Sequence, residues 1–285
     1  MAQDSKIAIY SWSISHILNS RRALGPVRRG EGEGRPVVLV HGNSSSSRVW
    51  QALIDGPFGA RYRCLALDLP GHGDTPPPAA GPDAYSVPGF AAAVAGFVRE
   101  EGLRDVVLVG LSLGGHAILE AADALGDAAV GFAVFGTPPV RDGSSFAEAY
   151  LADSPLGIGF QETITREEAR TYAAGLLAPG SAVSLDPLVE DILATDPAVR
   201  AGIARSIAEG RFADEVALVA SLDRPLAVLH GEEEQFVNRA YLDALTVPVL
   251  WRGAVQVVPG AGHAIQVDRP ESLADLLDSF VRDLP

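Results

Sequence analysis

The 285-residue sequence contains one cysteine, Cys64, and one lysine, Lys6. A single cysteine cannot form a disulfide within the chain, and a free thiol fits a reducing compartment. With Lys6 as the sole lysine, a buried catalytic lysine is excluded.

Long apolar runs and clustered basic residues are also missing. The apolar run around Ala91–Ala95 is far too short to cross a bilayer, and the N-terminal residues show no secretory signal. The net charge is −14, and basic residues occur in no run longer than two, which argues against binding to nucleic acid. We therefore expect a cytoplasmic protein with neither nucleic acid nor membrane as partner, of a size typical of a single α/β domain. Its oligomeric state stays open.

Short β-branched runs alternate with helical patterns, which predicts a parallel sheet flanked by helices. Strands are predicted at Pro36–Val40, Cys64–Leu67, Val106–Val109, Gly131–Phe135, Leu226–Leu229 and Val255–Val258. Helices are predicted at Ser47–Ile54, Val87–Glu101, Gly114–Leu125, Arg239–Leu245 and Glu271–Arg282. The segment Ile7–Arg29 predicts one or two antiparallel edge strands, with a helix over Ser13–Arg22 as the alternative.

The alternation stops between Gly136 and Arg224. This stretch has helical spacing at Arg166–Leu177, Pro187–Leu193 and Pro197–Ile207 and no convincing strand. We therefore predict a helical cap over residues 137–223, inserted between the two parts of an α/β core, residues 1–136 and 224–285.

The pentapeptide Gly110-Leu111-Ser112-Leu113-Gly114 joins a predicted strand to a predicted helix. Such a turn exposes the serine hydroxyl, and its glycines relieve crowding around it. The first amides of the helix point toward the group that the serine attacks. In this context the motif predicts a nucleophile elbow with Ser112 as the nucleophile.

A serine nucleophile needs a base and a carboxylate, in the chain order Ser, acid, His for this topology. His263 follows the last predicted strand and precedes the last helix, so it lies at the carboxyl edge of the sheet. The acid is expected after Leu226–Leu229, where the sequence offers Glu232, Glu233 and Glu234. The spacing from the preceding glycine favours Glu234, and a shift by one position stays open.

The turn after the first long strand supplies a candidate oxyanion hole. We expect the backbone amides of Asn43 and Leu113 to stabilise the oxyanion. His41 is interpreted as structural, and so is Asp68–Asp74, whose first aspartate can accept hydrogen bonds from nearby amides. His116 is expected to be packed, and alternatively to line the pocket floor. No metal site and no cofactor are predicted.

Together these motifs resemble the α/β-hydrolase superfamily from about Arg35 to the C-terminus. Finer matches at His41–Ser46, Ser112–His116 and Glu234–Val237 resemble the α/β-hydrolase-fold N-acylhomoserine lactone lactonases. That resemblance implies a Ser–His–Glu triad, which independently favours Glu234, and an oxyanion role for Asn43. It also implies a cap tyrosine that contacts the substrate, best matched by Tyr172.

We therefore expect a metal-independent serine hydrolase that opens the lactone of N-acylhomoserine lactones through an acyl-enzyme. Tyr172, Gly42 and His116 are expected to face the substrate, and residues near Phe146, Leu156 and Leu176 to line an acyl pocket. The alternatives are a general carboxylesterase, an enol-lactonase or a carbon–carbon bond hydrolase with the same triad. A small-molecule receptor with little turnover is a further alternative.

Overall fold

The computed structural model describes residues 24–285, which are built around a seven-stranded sheet. The strands are β1 Arg28–Arg29, β2 Pro36–Val40, β3 Arg63–Leu67, β4 Val106–Leu111, β5 Ala129–Phe135, β6 Leu226–Gly231 and β7 Gln256–Val258. Their order is β1-β3-β2-β4-β5-β6-β7. Only β1 runs antiparallel to its neighbour; the other strand pairs are parallel. The predicted mostly parallel sheet is confirmed.

Thirteen α-helices accompany the sheet in the described residues. They are α1 Gln51–Asp55, α2 Pro57–Arg61, α3 Val87–Glu100, α4 Leu113–Glu120, α5 Ala122–Leu125, α6 Gly143–Ala149, α7 Arg166–Leu176, α8 Asp186–Ala194, α9 Pro197–Ala208, α10 Glu215–Ser221, α11 Arg239–Ala244, α12 Ile265–Asp268 and α13 Pro270–Asp283. The helix predicted from Ser47 begins as a 3-10 helix, Ser47–Trp50, with the Ser46 side chain as its N-cap. None of these helices is long and apolar enough to span a bilayer.

The central strands are covered on both faces. All six residues of β4 are buried, as are the last four residues of β2 and of β3. This explains why the sequence shows continuous apolar runs there instead of alternation. In β5, Gly131 allows the C-terminal segment to pack closely, because a Cβ at this position would lie 2.9 Å from Leu284 and 3.1 Å from the Phe280 ring.

Between β5 and β6 the chain forms only helices, α6 to α10, and a 3-10 helix at Pro155–Phe160. Helix α7 begins with a reciprocal capping box between Thr165 and Glu168, which satisfies two otherwise unpaired amides. One isolated bridge, Tyr150 to Val237, joins this helical segment to the loop after β6. The predicted helical content is confirmed, and the division into core and cap stays a prediction.

The prediction for the N-terminal region is tested only in part. Arg28–Arg29 forms an antiparallel edge strand against β3, as expected. The alternative helix over Ser13–Arg22 lies outside the described residues.

Candidate active site

Ser112 lies on the sharp turn between β4 and α4, with φ 51° and ψ −119°. Such a left-handed conformation costs about 1–3 kcal/mol in a residue other than glycine. The turn is held by a hydrogen bond from the Ser112 amide to the Phe135 carbonyl, 2.9 Å. A Cβ at Gly110 would collide with the backbone of Gly115, and one at Gly114 with the carbonyl oxygen of Val40. The glycines of the motif thus permit the close approach that the turn requires.

Two backbone amides beside Ser112 lack a partner within residues 24–285, those of Asn43 and Leu113. The Asn43 side chain is already engaged: its amide group donates to the Gly159 carbonyl at 2.7 Å, and its oxygen accepts from the Ser44 hydroxyl at 3.1 Å. Leu113 is the first residue of α4, and the first N–H groups of a helix have no acceptor within the helix. Both amides are free to donate to an anionic oxygen.

His263 and Glu234 form a buried pair. The imidazole Nδ1 lies 2.8 and 3.0 Å from the two carboxylate oxygens, and the side chains are only 2% and 1% exposed. The Phe236 amide also donates to Glu234, at 2.8 Å. Burial alone raises the pKa of the Glu234 carboxyl, but the charge and hydrogen bond of His263 and the Phe236 amide outweigh it and lower this pKa overall. The carboxylate therefore stays ionised and orients the imidazole.

The His263 ring is confined on two sides. The Phe236 ring meets it edge to face, with centroids 4.8 Å apart. Gly136, at φ 60°, lies so close that a Cβ would collide with the imidazole. Any side chain at position 136 would displace the ring from its present place.

Two cavities meet at Ser112. The first is lined mainly by apolar side chains, including Phe146, Leu156 and Phe160. Its polar wall residues are Asn43, Ser112, His116, Tyr150, Tyr172 and Glu215. The wall of the second contains Gly42, Ser112, His263, Tyr172, Leu176 and Gln266. Phe146 and Leu156 lie in the wall of the first cavity, and Leu176, the third residue near which the acyl pocket is expected, lies in the wall of the second.

Ser112 and His263 share the wall of the second cavity, and no hydrogen bond joins them within residues 24–285. Such contacts are often long in a ligand-free enzyme and tighten when substrate binds. Tyr172 lies in the walls of both cavities and is 3% exposed. The residues expected to face the substrate, Tyr172, Gly42 and His116, all line one cavity or the other.

The other carboxylates after β6 have different surroundings. Glu232 and Glu233 are exposed, and Glu232 accepts a hydrogen bond from the Gly260 amide at 3.0 Å. Asp68 accepts from the amides of Ser47 and Asp74, the architectural contacts that the sequence predicts. Within residues 24–285, His, Cys, Asp and Glu side chains form no group of three or more suited to a metal ion.

Sequence reasoning missed Tyr150 and Glu215. Glu215, on α10, lies 2.8 Å from Nδ1 of His116, and the Tyr150 hydroxyl lies 3.2 Å from Nε2 of the same ring. Neither residue belongs to a motif. A carboxylate in the first turn of a helix, such as Glu215 in α10, is stabilised by the helix dipole, so its presence there does not by itself indicate a role in a site.

A further carboxyl, that of Glu120 on α4, is half-buried near Glu215 and His116. Burial, followed by the Glu215 charge, raises its pKa to about 7, against lowering contributions from the Ala213 amide and His116. Between pH 4.5 and 7 the folded protein then binds more protons than the unfolded chain, so this carboxyl lowers stability as the pH rises.

Replacing Glu120 with glutamine is therefore expected to stabilise the protein at pH 8 and to change little at pH 4.5. The glutamine carbonyl can still accept from the Ala213 amide, which donates to Glu120 at 2.7 Å. The gain at pH 8 is expected to be on the order of 2–3 kcal/mol, which raises Tm by several degrees. Thermal unfolding of both proteins at the two pH values checks this, and an equal change in Tm at both would contradict it.

Comparison with known proteins identifies the family. The model of the alpha/beta hydrolase family matches residues 37–276. The chain belongs to this family. Its fold is the alpha/beta hydrolase fold, and a hydrolase activity is supported.

Among solved structures, a substituted form of the N-acyl homoserine lactonase AidH, in complex with N-hexanoyl homoserine lactone, superposes with a TM-score of 0.85. It is 30% identical, over 90% of this chain and 93% of that one. The esterase RhEst1 from Rhodococcus sp. ECU1013 is 26% identical, over 91% and 94% of the two chains, with a TM-score of 0.77. A non-heme haloperoxidase of Rhodococcus erythropolis is 27% identical, over 88% of this chain and 93% of its own.

Proposed function

We propose that this alpha/beta hydrolase is a metal-independent serine hydrolase that opens the lactone ring of N-acylhomoserine lactones. The observation that carries the proposal is the convergence of Ser112, the buried His263–Glu234 pair and two unpaired amides at the mouth of an apolar cavity. The likeness to the lactonase AidH supports the choice of substrate, since its complex contains a lactone with a six-carbon acyl chain.

In the first step Ser112 attacks the lactone carbonyl while His263 accepts the hydroxyl proton. Glu234 keeps the imidazole oriented, with the proton on Nδ1 and Nε2 free to act as the base. The carbonyl oxygen becomes an oxyanion, which accepts from the amides of Asn43 and Leu113. Removing one such donor typically costs about 10²–10³ in rate.

In the second step the ring carbon–oxygen bond breaks and His263 gives its proton to the departing alkoxide. The leaving group stays attached to the acyl part, because both belonged to one ring. His263 then activates water, which attacks the ester of Ser112 and releases the open-chain acid.

The apolar cavity beside Ser112 suits the acyl chain. Aromatic and aliphatic side chains, among them Phe146 and Leu156, form most of its wall. Each methylene that the chain buries contributes about 0.8 kcal/mol, so kcat/KM is expected to rise with chain length until the cavity is filled.

Ring opening releases a proton, which gives the test. Purified protein is mixed with N-butanoyl, N-hexanoyl and N-octanoyl homoserine lactone in weak buffer, and acid release is followed with and without EDTA. The expected result is EDTA-resistant opening with kcat/KM rising along the series, well above that for p-nitrophenyl butanoate. Loss of activity with EDTA would overturn the metal-independent mechanism.

The second candidate is a general carboxylesterase, favoured by the likeness to the esterase RhEst1. It predicts the opposite ranking, with fast cleavage of p-nitrophenyl butanoate and negligible lactone opening. Absence of turnover on all these substrates would contradict both candidates and favour a binding protein.

A further inference from the structure

The wall of the first cavity contains a buried polar group that the proposed reaction does not use, formed by Tyr150, His116 and Glu215. We propose that Tyr150, held by the His116–Glu215 pair, binds a carbonyl or hydroxyl oxygen on the acyl part of the substrate, close to the carbon that Ser112 attacks. The inference rests on the proposed function only in assigning the acyl chain to this cavity.

The His116–Glu215 pair is rigidly held. Nδ1 of His116 lies 2.8 Å from both carboxylate oxygens of Glu215, whose side chain is 1% exposed. The carboxylate also accepts from the Val140 amide at 3.1 Å. Since a carboxylate can only accept, Nδ1 carries a hydrogen. The ring orientation is thereby fixed, with Nε2 directed toward Tyr150.

Tyr150 completes the arrangement at the cavity wall, with its hydroxyl 3.2 Å from Nε2 of His116. When the ring is an imidazolium, Nε2–H donates to the tyrosine oxygen, and the tyrosine O–H is left free to donate to an acceptor. When the ring is neutral, the tyrosine donates to Nε2 and its oxygen can accept. In either state Tyr150 keeps one hydrogen-bonding position unused among the described residues.

The charges around His116 favour its imidazolium form, in which the Tyr150 O–H is free to donate. Burial alone lowers the pKa of His116, but the charge and hydrogen bond of Glu215 outweigh it and raise this pKa overall. Burial, followed by the charges of Glu215 and Glu234, raises the pKa of Tyr150 well above its ordinary range, so the phenol keeps its proton. Tyr150 is therefore best suited to donate to a ligand oxygen.

Helix α4 indicates where along the acyl chain of the substrate Tyr150 would make its contact. His116 lies four residues after Ser112, and its amide donates to the Ser112 carbonyl at 3.1 Å. Ser112 is the N-cap of α4 and His116 lies in the first turn of that helix, and both residues line the first cavity together with Tyr150. The Tyr150 hydroxyl is one hydrogen bond beyond that ring, so it can reach an oxygen on the first few carbons of the acyl chain.

Elsewhere in the cavity a polar substituent would be poorly accommodated. The wall beyond this group is mainly apolar, with Phe146 and Phe160 among its members. An oxygen moved there from water would lose its hydrogen bonds without replacement, which is costly. Apart from Tyr172, which also lines the second cavity, Tyr150 is the wall tyrosine that could distinguish an oxygen-substituted acyl chain from a plain one.

A purely structural role accounts for only part of this arrangement. The His116–Glu215 pair links α4 to α10, which itself stabilises the packing of these helices. That role leaves unexplained why a tyrosine hydroxyl closes the arrangement on the cavity side. Replacing Tyr150 with phenylalanine separates the two roles, because it removes the hydroxyl and leaves the pair intact.

The experiment compares N-hexanoyl with N-(3-oxohexanoyl) substrates in wild type and Tyr150→Phe. Each acyl chain is used as the homoserine lactone and as the methyl ester of the N-acyl 2-aminobutanoic acid, which keeps the same number of bonds between the attacked carbonyl and the 3-oxo group. The matched control is Tyr241→Phe, which also removes a tyrosine hydroxyl bond, to the Pro139 carbonyl at 2.7 Å, but at a side chain outside both cavity walls. Tyr150→Phe is expected to lower kcat/KM for the 3-oxo substrates about 5- to 20-fold, mainly through KM, and by less than 2-fold for the plain ones. The ratio of kcat/KM for the 3-oxo substrate to that for the plain one is expected to be the same in Tyr241→Phe as in the wild type.

An equal loss on both acyl chains, or none on the 3-oxo substrates, would overturn the inference. Failure of the lactonase proposal is distinguishable, because the methyl esters report the same ratio without a lactone. If none of the substrates is hydrolysed, binding is measured instead. Titration calorimetry gives the Kd of each of the two lactones for Ser112→Ala and for the double variant that also carries Tyr150→Phe. The ratio of the two Kd values then replaces the ratio of kcat/KM. If that ratio is the same with and without the Tyr150 hydroxyl, binding of the acyl-chain oxygen by Tyr150 is excluded as well.

Discussion

Replacing Ser112 with alanine is expected to reduce kcat by at least about 10⁴-fold while leaving substrate binding nearly unchanged. The hydroxyl is the only group at the elbow that can form the acyl-enzyme, and the residual rate from amides and binding alone is small. The substitution removes one oxygen from a turn whose conformation depends on the backbone and the adjacent glycines. Steady-state rates on the best substrate, with KM or a separately measured Kd, check this.

Covalent labelling gives the control. A p-nitrophenyl phosphonate is expected to add one phosphonyl group to the wild type, on the peptide that contains Ser112, and none to Ser112→Ala. Ser279→Ala, which removes a hydroxyl on the exposed side of α13, should retain both labelling and rate. Substantial turnover by Ser112→Ala, with a Tm close to that of the wild type, would exclude the acyl-enzyme mechanism.

Much of the fold was predictable because its signals are local. The central strands of the sheet are short apolar runs, and burial on both faces leaves that pattern in the sequence without tertiary information. The boundaries were less accurate. The helical pattern over Gly114–Leu125 is divided in the structure into α4 and α5, and the helix from Ser47 starts as a 3-10 turn.

The predicted positions around Ser112 share this local character. A strand, a glycine-flanked serine and a helix are consecutive in the chain, so the elbow needs no long-range contact to be recognised. His263 and Glu234 follow strand ends, and parallel strands bring their carboxyl ends to one edge of the sheet. Topology therefore accounts for the proximity of these residues, although 29 positions separate His263 from Glu234.

The cavity residues were not predictable in the same way. Tyr150 and Glu215 lie 34 and 99 positions after His116, on segments whose placement depends on how the helices between β5 and β6 pack. On α7, the spacing of Tyr172 and Leu176 places them on one face. Which cavity each of these residues borders is a property of the tertiary packing, which the spacing alone does not give.

Glu234→Gln is expected to lower kcat about 10³- to 10⁴-fold with little change in KM. In the wild type the carboxylate accepts from Nδ1 of His263, so Nε2 keeps a lone pair for the serine proton. A glutamine can present its amide hydrogens to Nδ1, which then becomes the acceptor and moves the ring hydrogen to Nε2. The imidazole would keep its place but could no longer act as the base. Steady-state kinetics and the Tm of the variant test this.

The adjacent glutamates provide a matched control that also decides which of the three is the acid. Glu233→Gln removes the same charge one position earlier, at an exposed side chain, and is expected to keep at least half of the wild-type kcat. Glu232→Gln should behave similarly, since the hydrogen bond that its side chain makes within residues 24–285 is with the Gly260 amide, away from His263. A large loss confined to Glu234→Gln would assign the acid to that position. A comparable loss in Glu233→Gln, or near-full activity in Glu234→Gln, would refute the assignment, because burial against His263 is what separates Glu234 from its neighbours.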